Sequence, residues 1–319
     1  MKTRQPKIAK ETLSKERQIA PIFGIPIDST RKAKVLSEIQ NFVKGTNSQP
    51  RQPSGQPRLV VTPNPEILLR SLEDIKLAHA LRSADLKIPD GIGVLAALKY
   101  LSLPTPGRDI LIPFVLVFQG LSVGYSVFFN KKWLLGGTEV VPGRAIFKEL
   151  LDKSAITGWK IFLLGGKPGI AETIAQIFTK GKARILTESG PWLDETGTPI
   201  DEKQKQIQKK TIQKINAFKP HLLFVAFGPP KQEKWLSKNL PKLNVRVAMV
   251  VGGAFDYLGG LTPLPTVFVE KAGLEWLWRL ITQPRRLPRV LNAIVVFPWE
   301  VFKWRLKLAK KQITKSEDL

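Results

Sequence analysis

Two short motifs place a hydroxyl and a carboxylate at the ends of apolar segments. Residues 61–66 (VTPNPE) contain Thr62, and residues 88–93 (IPDGIG) contain Asp90. The stretch between them, from residue 66 to about 82, has the apolar spacing of a helix. A strand, a helix and a second strand form a crossover unit, which brings the carboxyl ends of both strands to one rim of a parallel sheet. We therefore expect Thr62 and Asp90 to lie close together where open α/β sheets bind ligands, and a carboxylate there can take a proton from an alcohol.

The same two residues also have a purely structural explanation, which the local pattern leaves open. Threonine is favoured at helix N-caps and aspartate is favoured in turns. On this interpretation Thr62 caps the following helix and Asp90 begins a turn.

Glycine-containing turns follow three further apolar segments. They contain Gly165-Gly166, Gly228 and Gly252-Gly253. Glycine lets a phosphate approach the backbone N–H groups at a helix N-terminus. None of these turns has the spacing of a dinucleotide-binding fingerprint or a P-loop. Together on one rim, however, they predict a pocket for a nucleotide diphosphate.

Two polar residues beside these turns are further candidates. Gln232 belongs to the segment PPKQE, which has the pattern of a first helical turn. Asp256 could bind a sugar hydroxyl or could cap the next element. The sequence has no Asp-x-Asp pair to hold a divalent ion. We therefore expect Arg, Lys and helix dipoles to balance the charge of a leaving nucleotide diphosphate.

The chain carries a formal net charge of +24, from 50 basic and 26 acidic residues. Such a surplus predicts an anionic partner, which could be nucleic acid, anionic lipid or a phosphorylated substrate. With no cysteine and two histidines, the composition excludes disulfides, a thiol nucleophile, a thiolate metal site and a histidine-rich metal site. The basic N-terminal segment does not have the continuous apolar core expected of a secretory signal.

Apolar segments alternate with helical patterns along most of the chain. This alternation predicts an α/β fold, a Rossmann-like parallel sheet with helices on both faces, plus a basic, Trp-rich helical appendage at the C-terminus. We divide the sequence into a basic and partly structured N-terminal extension (1–57), an α/β domain (58–272) and the appendage (273–319). Residues 23–28 and 34–43 could add a strand and a helix at the sheet edge.

The α/β domain is interrupted by an apolar insertion at about 104–135. Its residues 110–129 include no charged side chain and are nearly long enough to cross a bilayer. Proline, glycine and polar residues weaken an ordinary span, and a single crossing would place the two halves of one sheet on opposite sides of the membrane. We favour an interfacial or re-entrant segment, or a buried helix pair, over a span.

The appendage combines tryptophan with basic residues. It contains Trp276, Trp278, Trp299 and Trp304 among many Arg and Lys residues. This composition is typical of a helix at a membrane interface. The alternative is an ordinary amphipathic helix that docks on the core with its charges in solvent.

Five motifs occur in a fixed order between about residues 58 and 289: TPNPE, ADLKIPDGIG, FLLGGKPG, FGPPKQEKW and GGAFDYLGG. In these motifs the sequence closely resembles the WecG/TagA/CpsF glycosyltransferases (glycosyltransferase family 26). The resemblance implies transfer of an N-acetylhexosamine-type sugar, typically N-acetylmannosamine or its uronate, from a UDP donor. The implied acceptor is a polyprenyl-diphosphate-linked sugar at the cytoplasmic face of the membrane. The resemblance also implies inversion of the anomeric centre, no metal or other cofactor, and a basic C-terminal appendage near the membrane.

Carried over to this sequence, the family motifs make Asp90 the general base and Thr62 a supporting pocket residue. Gln232 is expected to contact sugar or phosphate. The other substrate-binding candidates of the motifs are Asn64, Gly165, Gly166 and Asp256. The appendage arginines expected to contact a diphosphate are Arg279, Arg285, Arg286 and Arg289.

One feature departs from the family pattern. The family usually has an Arg shortly before a Gly-x-Asp. Here residues 137–139 (GTE) keep the Gly, have Glu for Asp and lack the preceding Arg, whereas residues 106–109 (PGRD) partly resemble the same motif. Arg108, Lys132 and Arg144 are therefore the candidate phosphate partners.

The leading expectation is an inverting, metal-independent, UDP-sugar-dependent glycosyltransferase bound peripherally to an anionic membrane surface. A nicotinamide-dependent Rossmann oxidoreductase is one alternative, disfavoured by the missing glycine fingerprint. A basic membrane- or nucleic-acid-binding protein without catalysis is another. We expect no nucleic-acid partner, because the basic residues accompany Trp and long apolar runs rather than a nucleic-acid module. A homo-oligomer stays open, because an appendage that completes a site could depend on assembly.

Overall fold

The computed structural model describes residues 20–29, 31–45, 56–105, 111–263, 266, 269, 275–282, 284 and 287–317. Its strands are β1 (Ala20–Ile22), β2 (Ile25–Ile27), β3 (Arg58–Val61), β4 (Leu86–Lys87), β5 (Lys160–Gly165), β6 (Arg184–Glu188), β7 (Leu222–Ala226) and β8 (Val247–Val250). Six of them form one sheet in the order β4-β3-β8-β7-β5-β6, and all neighbours are parallel. The predicted Rossmann-like fold class is confirmed.

Helices cover both faces of this sheet. They are α1 (Lys32–Lys44), α2 (Pro65–Glu73), α3 (Ile75–Ser83), α4 (Ile92–Ser102), α5 (Ile112–Phe129), α6 (Lys131–Leu135), α7 (Gly143–Thr157), α8 (Ile170–Phe178), α9 (Glu202–Phe218), α10 (Lys231–Asn239), α11 (Ala254–Leu258), α12 (Glu275–Thr282), α13 (Leu287–Leu291) and α14 (Phe297–Glu317). Successive side chains of a strand point to opposite faces. In β7, Leu223 and Val225 join a core with α2, α3, α4, α9, α10 and α14, whereas Leu222 and Phe224 join one with α1, α7, α8 and α11.

The helix predicted between the first two motifs is broken into two. Helix α2 ends at Glu73 and α3 begins at Ile75, because Asp74 accepts a hydrogen bond from the Leu77 N–H at 3.0 Å and caps the second helix. The N-cap of α2 is Asn64, whose Oδ1 accepts from the Ile67 N–H at 3.0 Å. The proposed capping role of Thr62 was therefore wrong.

The N-terminal segment forms a hairpin rather than a strand of the main sheet. Strands β1 and β2 pair only with each other, antiparallel, around a turn in which Gly24 has a φ of 75°. The hairpin nevertheless lies at the edge of the main sheet, because the Asp28 N–H donates to Lys87 O at 3.0 Å and Asp28 Oδ2 accepts from the Lys87 N–H at 2.9 Å. Ile22, Ile25 and Ile27 are fully buried in the same core as β3 and β7.

One face of α14 is packed into the protein. Phe23 of the hairpin makes edge contacts with Phe297 and Trp304, with ring centroids 6.0 and 6.1 Å apart. Arg305 is 3% exposed, lies 4.3 Å over the Tyr100 ring and donates to Leu103 O at 2.9 Å. Burial lowers the pKa of Arg305. Helix α14 therefore docks on the core at Trp304 and Arg305, as in the alternative interpretation, except that the Arg305 charge is buried rather than in solvent.

Helix α5, in the apolar insertion, is exposed along most of its length. It has the length and mean hydropathy of a membrane-crossing helix, and 22% of it is buried. The chain enters it after β3 and β4 and leaves it toward β5 and β7, while β8 lies between β3 and β7 in one sheet. A single crossing by α5 would separate strands that are hydrogen-bonded into that sheet, so a span does not fit this fold.

We predict that Arg305→Ala destabilises the docking of α14. The change removes a charged hydrogen-bond donor from the partly buried carbonyl groups of Leu103 and Pro104, and such bonds contribute roughly 1.5–3 kcal/mol. The free energy of unfolding in urea should fall by about that amount. Lys307→Ala, at an exposed position of the same helix, is the control and should change it by less than about 0.5 kcal/mol. Equal urea midpoints for the two variants would contradict this packing.

Candidate active site

Three chain segments meet at the carboxyl rim of β3 and β4. The Asp90 N–H donates to Pro63 O at 3.0 Å, which joins the two motifs directly. The N–H of Gly143, at the start of α7, lies 3.5 Å from Asp90 Oδ1, a long contact. A Cβ added to Gly143 would lie 3.0 Å from Thr62 Cγ2. The predicted proximity of Thr62 and Asp90 is therefore present, and Gly143 is the third member of the rim.

The position of Asp90 suits an ionised carboxylate. Helix N-termini carry partial positive charge, so α7 stabilises an anion placed before its first turn. Asp90 is half-buried, and the next residue, Gly91, has a φ of 97°. Residues other than glycine rarely adopt this backbone conformation. The glycine lets the chain turn sharply into α4 directly after the carboxylate.

Arg144 is the candidate phosphate partner that the fold brings to this rim. It directly follows Gly143 and is 8% exposed. Its guanidinium carbon lies 5.5 Å from the centre of the Tyr257 ring on α11. Lys132 lies on α6 and is exposed, and Arg108 lies outside the described residues.

The segment that departs from the family pattern is bound to α1. The Arg31 Nε–H donates to Gly137 O at 2.8 Å, and the Glu139 carboxylate accepts from the Lys32 N–H at the start of α1. Glu139 thus satisfies one of the free N–H groups at a helix N-terminus. An arginine does accompany the Gly-x-Glu segment, although it comes from a position far away in the sequence.

Gly165 and Gly166 are required by packing. Both have positive φ values, 90° and 85°. A Cβ on Gly165 would lie 3.0 Å from the backbone of Ala226, and one on Gly166 would lie 2.8 Å from the Phe255 ring. Packing alone therefore explains why both positions are glycine, without a role in phosphate binding.

Gln232 connects the ends of β7 and β8 from inside the protein. It is 3% exposed, its Oε1 accepts from the Gly228 N–H at 3.2 Å, and a Cβ on Gly252 would lie 3.6 Å from its Nε2. Its Nε2 also donates to Glu233 Oε1 at 3.0 Å. The first bond positions the Gly228 turn, and the Gln232 amide lies against the Gly252 turn. Contact of Gln232 with sugar or phosphate stays a prediction.

Glu233, the acidic residue of the PPKQE segment, is a buried carboxyl group that was not among the predicted site residues. It is fully buried, and its Oε2 has no hydrogen-bond partner among the described residues. Burial raises its pKa from 4.5 to about 7, although the hydrogen bond from Gln232 acts in the opposite direction. A carboxyl group beside Gln232 therefore changes its charge near neutral pH.

The remaining candidates lie around the same edge or outside the described residues. Asp256 on α11 lies 3.7 Å from Lys167 Nζ. Arg289 Nε lies 3.6 Å from Glu66 Oε1, so the appendage reaches the TPNPE motif. Arg285 and Arg286 lie outside the described residues, and for Arg279 only the backbone of α12 is described.

Sequence reasoning missed Gly143 and Tyr257 as members of the site. The available signal was the order Pro142-Gly143-Arg144, since proline is common where a helix begins. Nothing in the sequence connects that helix start to Thr62. Within the residues that the structure describes, no group of three or more His, Asp or Glu side chains is arranged to hold a metal ion.

The sequence model of the glycosyl transferase WecG/TagA/CpsF family matches residues 20–129 and 121–311. The chain therefore belongs to this family and is a glycosyltransferase. It is 28% identical over 234 residues to the N-acetylglucosaminyldiphosphoundecaprenol N-acetyl-beta-D-mannosaminyltransferase of Bacillus spizizenii (strain ATCC 23059 / NRRL B-14472 / W23), covering 73% of this chain and 74% of the relative. Enzymes of the same name from Staphylococcus aureus strains MRSA252 and NCTC 8325 are 22% identical over 292 residues, or 91% of this chain and 94% of theirs.

We predict that Glu233 makes stability fall as pH rises. Because the folded-state pKa is raised to about 7 from an ordinary 4.5, its contribution is full below about pH 4.5 and is lost as pH rises through 7. Glu233→Gln removes this titration and should raise the free energy of unfolding at pH 8 by roughly 1–3 kcal/mol relative to the parent, with a smaller difference at pH 5. Thermal unfolding of the variant and the parent at both pH values measures this difference in the free energy of unfolding.

The control for this experiment is Glu202→Gln, since Glu202 is exposed on α9. Its unfolding should follow the parent protein at both pH values. Parallel pH profiles for Glu233→Gln and the parent would show that Glu233 does not titrate in this range.

Proposed function

We propose that this chain is an inverting glycosyltransferase that moves N-acetylmannosamine, or its uronate, from UDP to a sugar carried on polyprenyl diphosphate. The product would belong to the synthesis of a cell-surface polysaccharide. The observation that carries the proposal is the position of Asp90, which meets Thr62 and the start of α7 at the carboxyl rim of the sheet. The names of the relatives support the sugar and the diphosphate-linked acceptor.

The proposed reaction is a single displacement. Asp90 takes the proton of the acceptor hydroxyl, and the hydroxyl oxygen attacks the anomeric carbon of the donor sugar. The bond from that carbon to the UDP oxygen breaks, and UDP leaves with the electron pair. One displacement inverts the anomeric centre, and it needs one base rather than the pair of carboxyl groups used in glycoside hydrolysis.

Positive groups at the rim can stabilise the leaving diphosphate. Arg144 lies beside the start of α7, and guanidinium groups bind phosphate through paired hydrogen bonds. The N-terminus of α7 adds its dipole. Arg289, held near Glu66, is the described residue of the appendage that reaches this edge. We infer from this arrangement that the reaction needs no metal ion.

Membrane association follows from the acceptor and from the surface of the protein. Helix α5 exposes Phe114, Phe118 and Phe129 by 74%, 70% and 72%. Trp299 on α14 is 57% exposed, and the same helix carries exposed lysines. An apolar helix face beside lysines and tryptophan suits a helix lying in the interface of an anionic bilayer. We propose peripheral binding at the cytoplasmic face, where UDP-sugars would be available.

We predict that Asp90→Asn reduces sugar transfer by about a hundredfold to ten-thousandfold, the usual effect of removing a positioned base. Binding of UDP should change little, because the side-chain volume is preserved. Initial rates with UDP-N-acetylmannosamine and a short-chain lipid diphosphate–sugar measure the loss of transfer. Calorimetry with UDP measures the affinity for UDP. Asp152→Asn, at an exposed position of α7, should leave both unchanged. Near-normal turnover by Asp90→Asn would exclude it as the base.

We predict that UDP raises the melting temperature of the protein and that NAD does not. UDP binds only the folded state, so it stabilises the protein by mass action.

We predict that sugar transfer continues at an unchanged rate after treatment with EDTA, because arginine side chains and helix dipoles neutralise the leaving group. Loss of activity in EDTA that is restored by a divalent cation would overturn the metal-independent reaction while leaving the choice of donor intact.

A further inference from the structure

A groove opens between the apolar helix α5 and the short helix α6. Its volume is 440 Å³. The residues lining it are Leu121, Ser122, Tyr125, Ser126, Asn130 and Trp133. Leu121 and Tyr125 are 69% and 61% exposed, so apolar surface faces the opening. A concave apolar surface with a few polar groups has the composition of a ligand site.

The walls of the groove are held in place by contacts to the rest of the fold. The Tyr100 hydroxyl of α4 donates to Leu116 O at 3.1 Å and fixes α5 against α4. Asn130 Oδ1 accepts from the Trp133 N–H at 3.1 Å, which fixes the turn from α5 into α6. Tyr125 is stacked on Phe129, with ring centroids 4.7 Å apart. The groove is therefore formed before any ligand binds.

Three lysines lie at the Trp133 end of the groove. Lys99 Nζ lies 4.4 Å from the centre of the Trp133 ring. Lys131 and Lys132 directly follow Asn130 in the sequence, and no acidic residue occurs between residues 110 and 138. Burial lowers the pKa of Lys131, so a neighbouring anion would favour its charged form. This surface combines an apolar channel with a positive end, and it matches a ligand that has an apolar chain and an anionic group.

Helix α4 connects this groove to the candidate base. The helix begins at Ile92, just after Asp90, and Lys99 lies seven residues further on. At a rise of about 1.5 Å per residue, the lysine is roughly 10 Å along the helix axis from its start. The acceptor sugar would occupy the space beside Asp90, and its diphosphate would extend toward the lysines.

We propose that the groove between α5 and α6 binds the first isoprene units of the lipid acceptor, with Lys99, Lys131 and Lys132 beside its diphosphate. This inference rests on the proposed function for the identity of the ligand. It adds a specific subsite for the chain at the end of α5 that precedes α6, whereas Phe114, proposed to contact the membrane, lies near the start of the helix. The proposal predicts that an isoprenoid diphosphate binds in the groove more tightly than the bulk phospholipid of the bilayer.

The test is direct binding of geranylgeranyl diphosphate to the full chain by calorimetry. The parent protein should bind it more tightly than geranylgeraniol or inorganic diphosphate, because each of these lacks half of the recognised chemistry. Ser122→Phe fills the groove and should weaken binding by about tenfold or more, which equals about 1.4 kcal/mol. Phe114→Ser, about two helical turns before Leu121 on α5, is the matched control: it should reduce binding to phosphatidylglycerol vesicles and leave geranylgeranyl diphosphate affinity unchanged.

Two results would contradict the proposal that the groove binds the isoprene units. One is unchanged geranylgeranyl diphosphate affinity in folded Ser122→Phe. The other is full displacement of the probe by short-chain phosphatidylglycerol at equal concentration, which would make bulk phospholipid the occupant. Should Ser122→Phe not fold, Leu121→Ser at its exposed position takes its place, and the same loss of affinity is expected.

Transfer assays separate this inference from the proposed function. In Ser122→Phe the KM for an acceptor with a long polyprenyl chain should rise by about tenfold or more, and the rate with a water-soluble acceptor whose diphosphate carries no isoprene unit should stay at the parent value. Binding of geranylgeranyl diphosphate in the groove without any sugar transfer by the parent protein would contradict the proposed reaction and not the subsite. Transfer with equal KM values for parent and variant would contradict the subsite and not the reaction.

Discussion

The contacts of Tyr100 hold together the parts of the molecule that lie outside the sheet. Its hydroxyl donates a hydrogen bond to Leu116 O of α5, and the Arg305 guanidinium of α14 lies 4.3 Å from the centre of its ring. Tyr100 itself belongs to α4, the helix that starts beside Asp90. One buried aromatic side chain thus connects the apolar insertion, the C-terminal helix and the candidate base. Burial raises the pKa of Tyr100, so the side chain stays a hydrogen-bond donor at neutral pH. The site and the membrane-facing surface share this support.

The part of the site that could be predicted from the sequence is the part governed by rules of parallel sheets. Thr62 and Asp90 follow neighbouring parallel strands, and such strands end on one rim whatever the rest of the chain does. The sheet itself was predictable for a similar reason, because buried parallel strands are continuous apolar runs, as in β7. Local pattern and global fold agree in these segments.

The remaining features depend on contacts between distant segments, which no local pattern encodes. Gly143 reaches Thr62 from the first position of α7, and Arg31 meets Gly137 across 106 residues of sequence. The break at Asp74 was missed because the apolar spacing continues across it, while the aspartate caps a new helix. The two strand-end glycines were assigned to phosphate binding on composition, and their packing against Ala226 and Phe255 supplies a sufficient reason of its own.

The hairpin at the start of the described chain has a consequence for biosynthesis. Phe23 packs against Phe297 and Trp304, and β3 pairs with β8, so early segments contact segments that are translated much later. Phe23 and one edge of β3 therefore lack these partners until residues 247–304 have emerged from the ribosome. Long-range pairing of this kind slows folding and exposes apolar surface meanwhile. We therefore expect the nascent chain to keep part of its apolar surface exposed until β8 and α14 have been made.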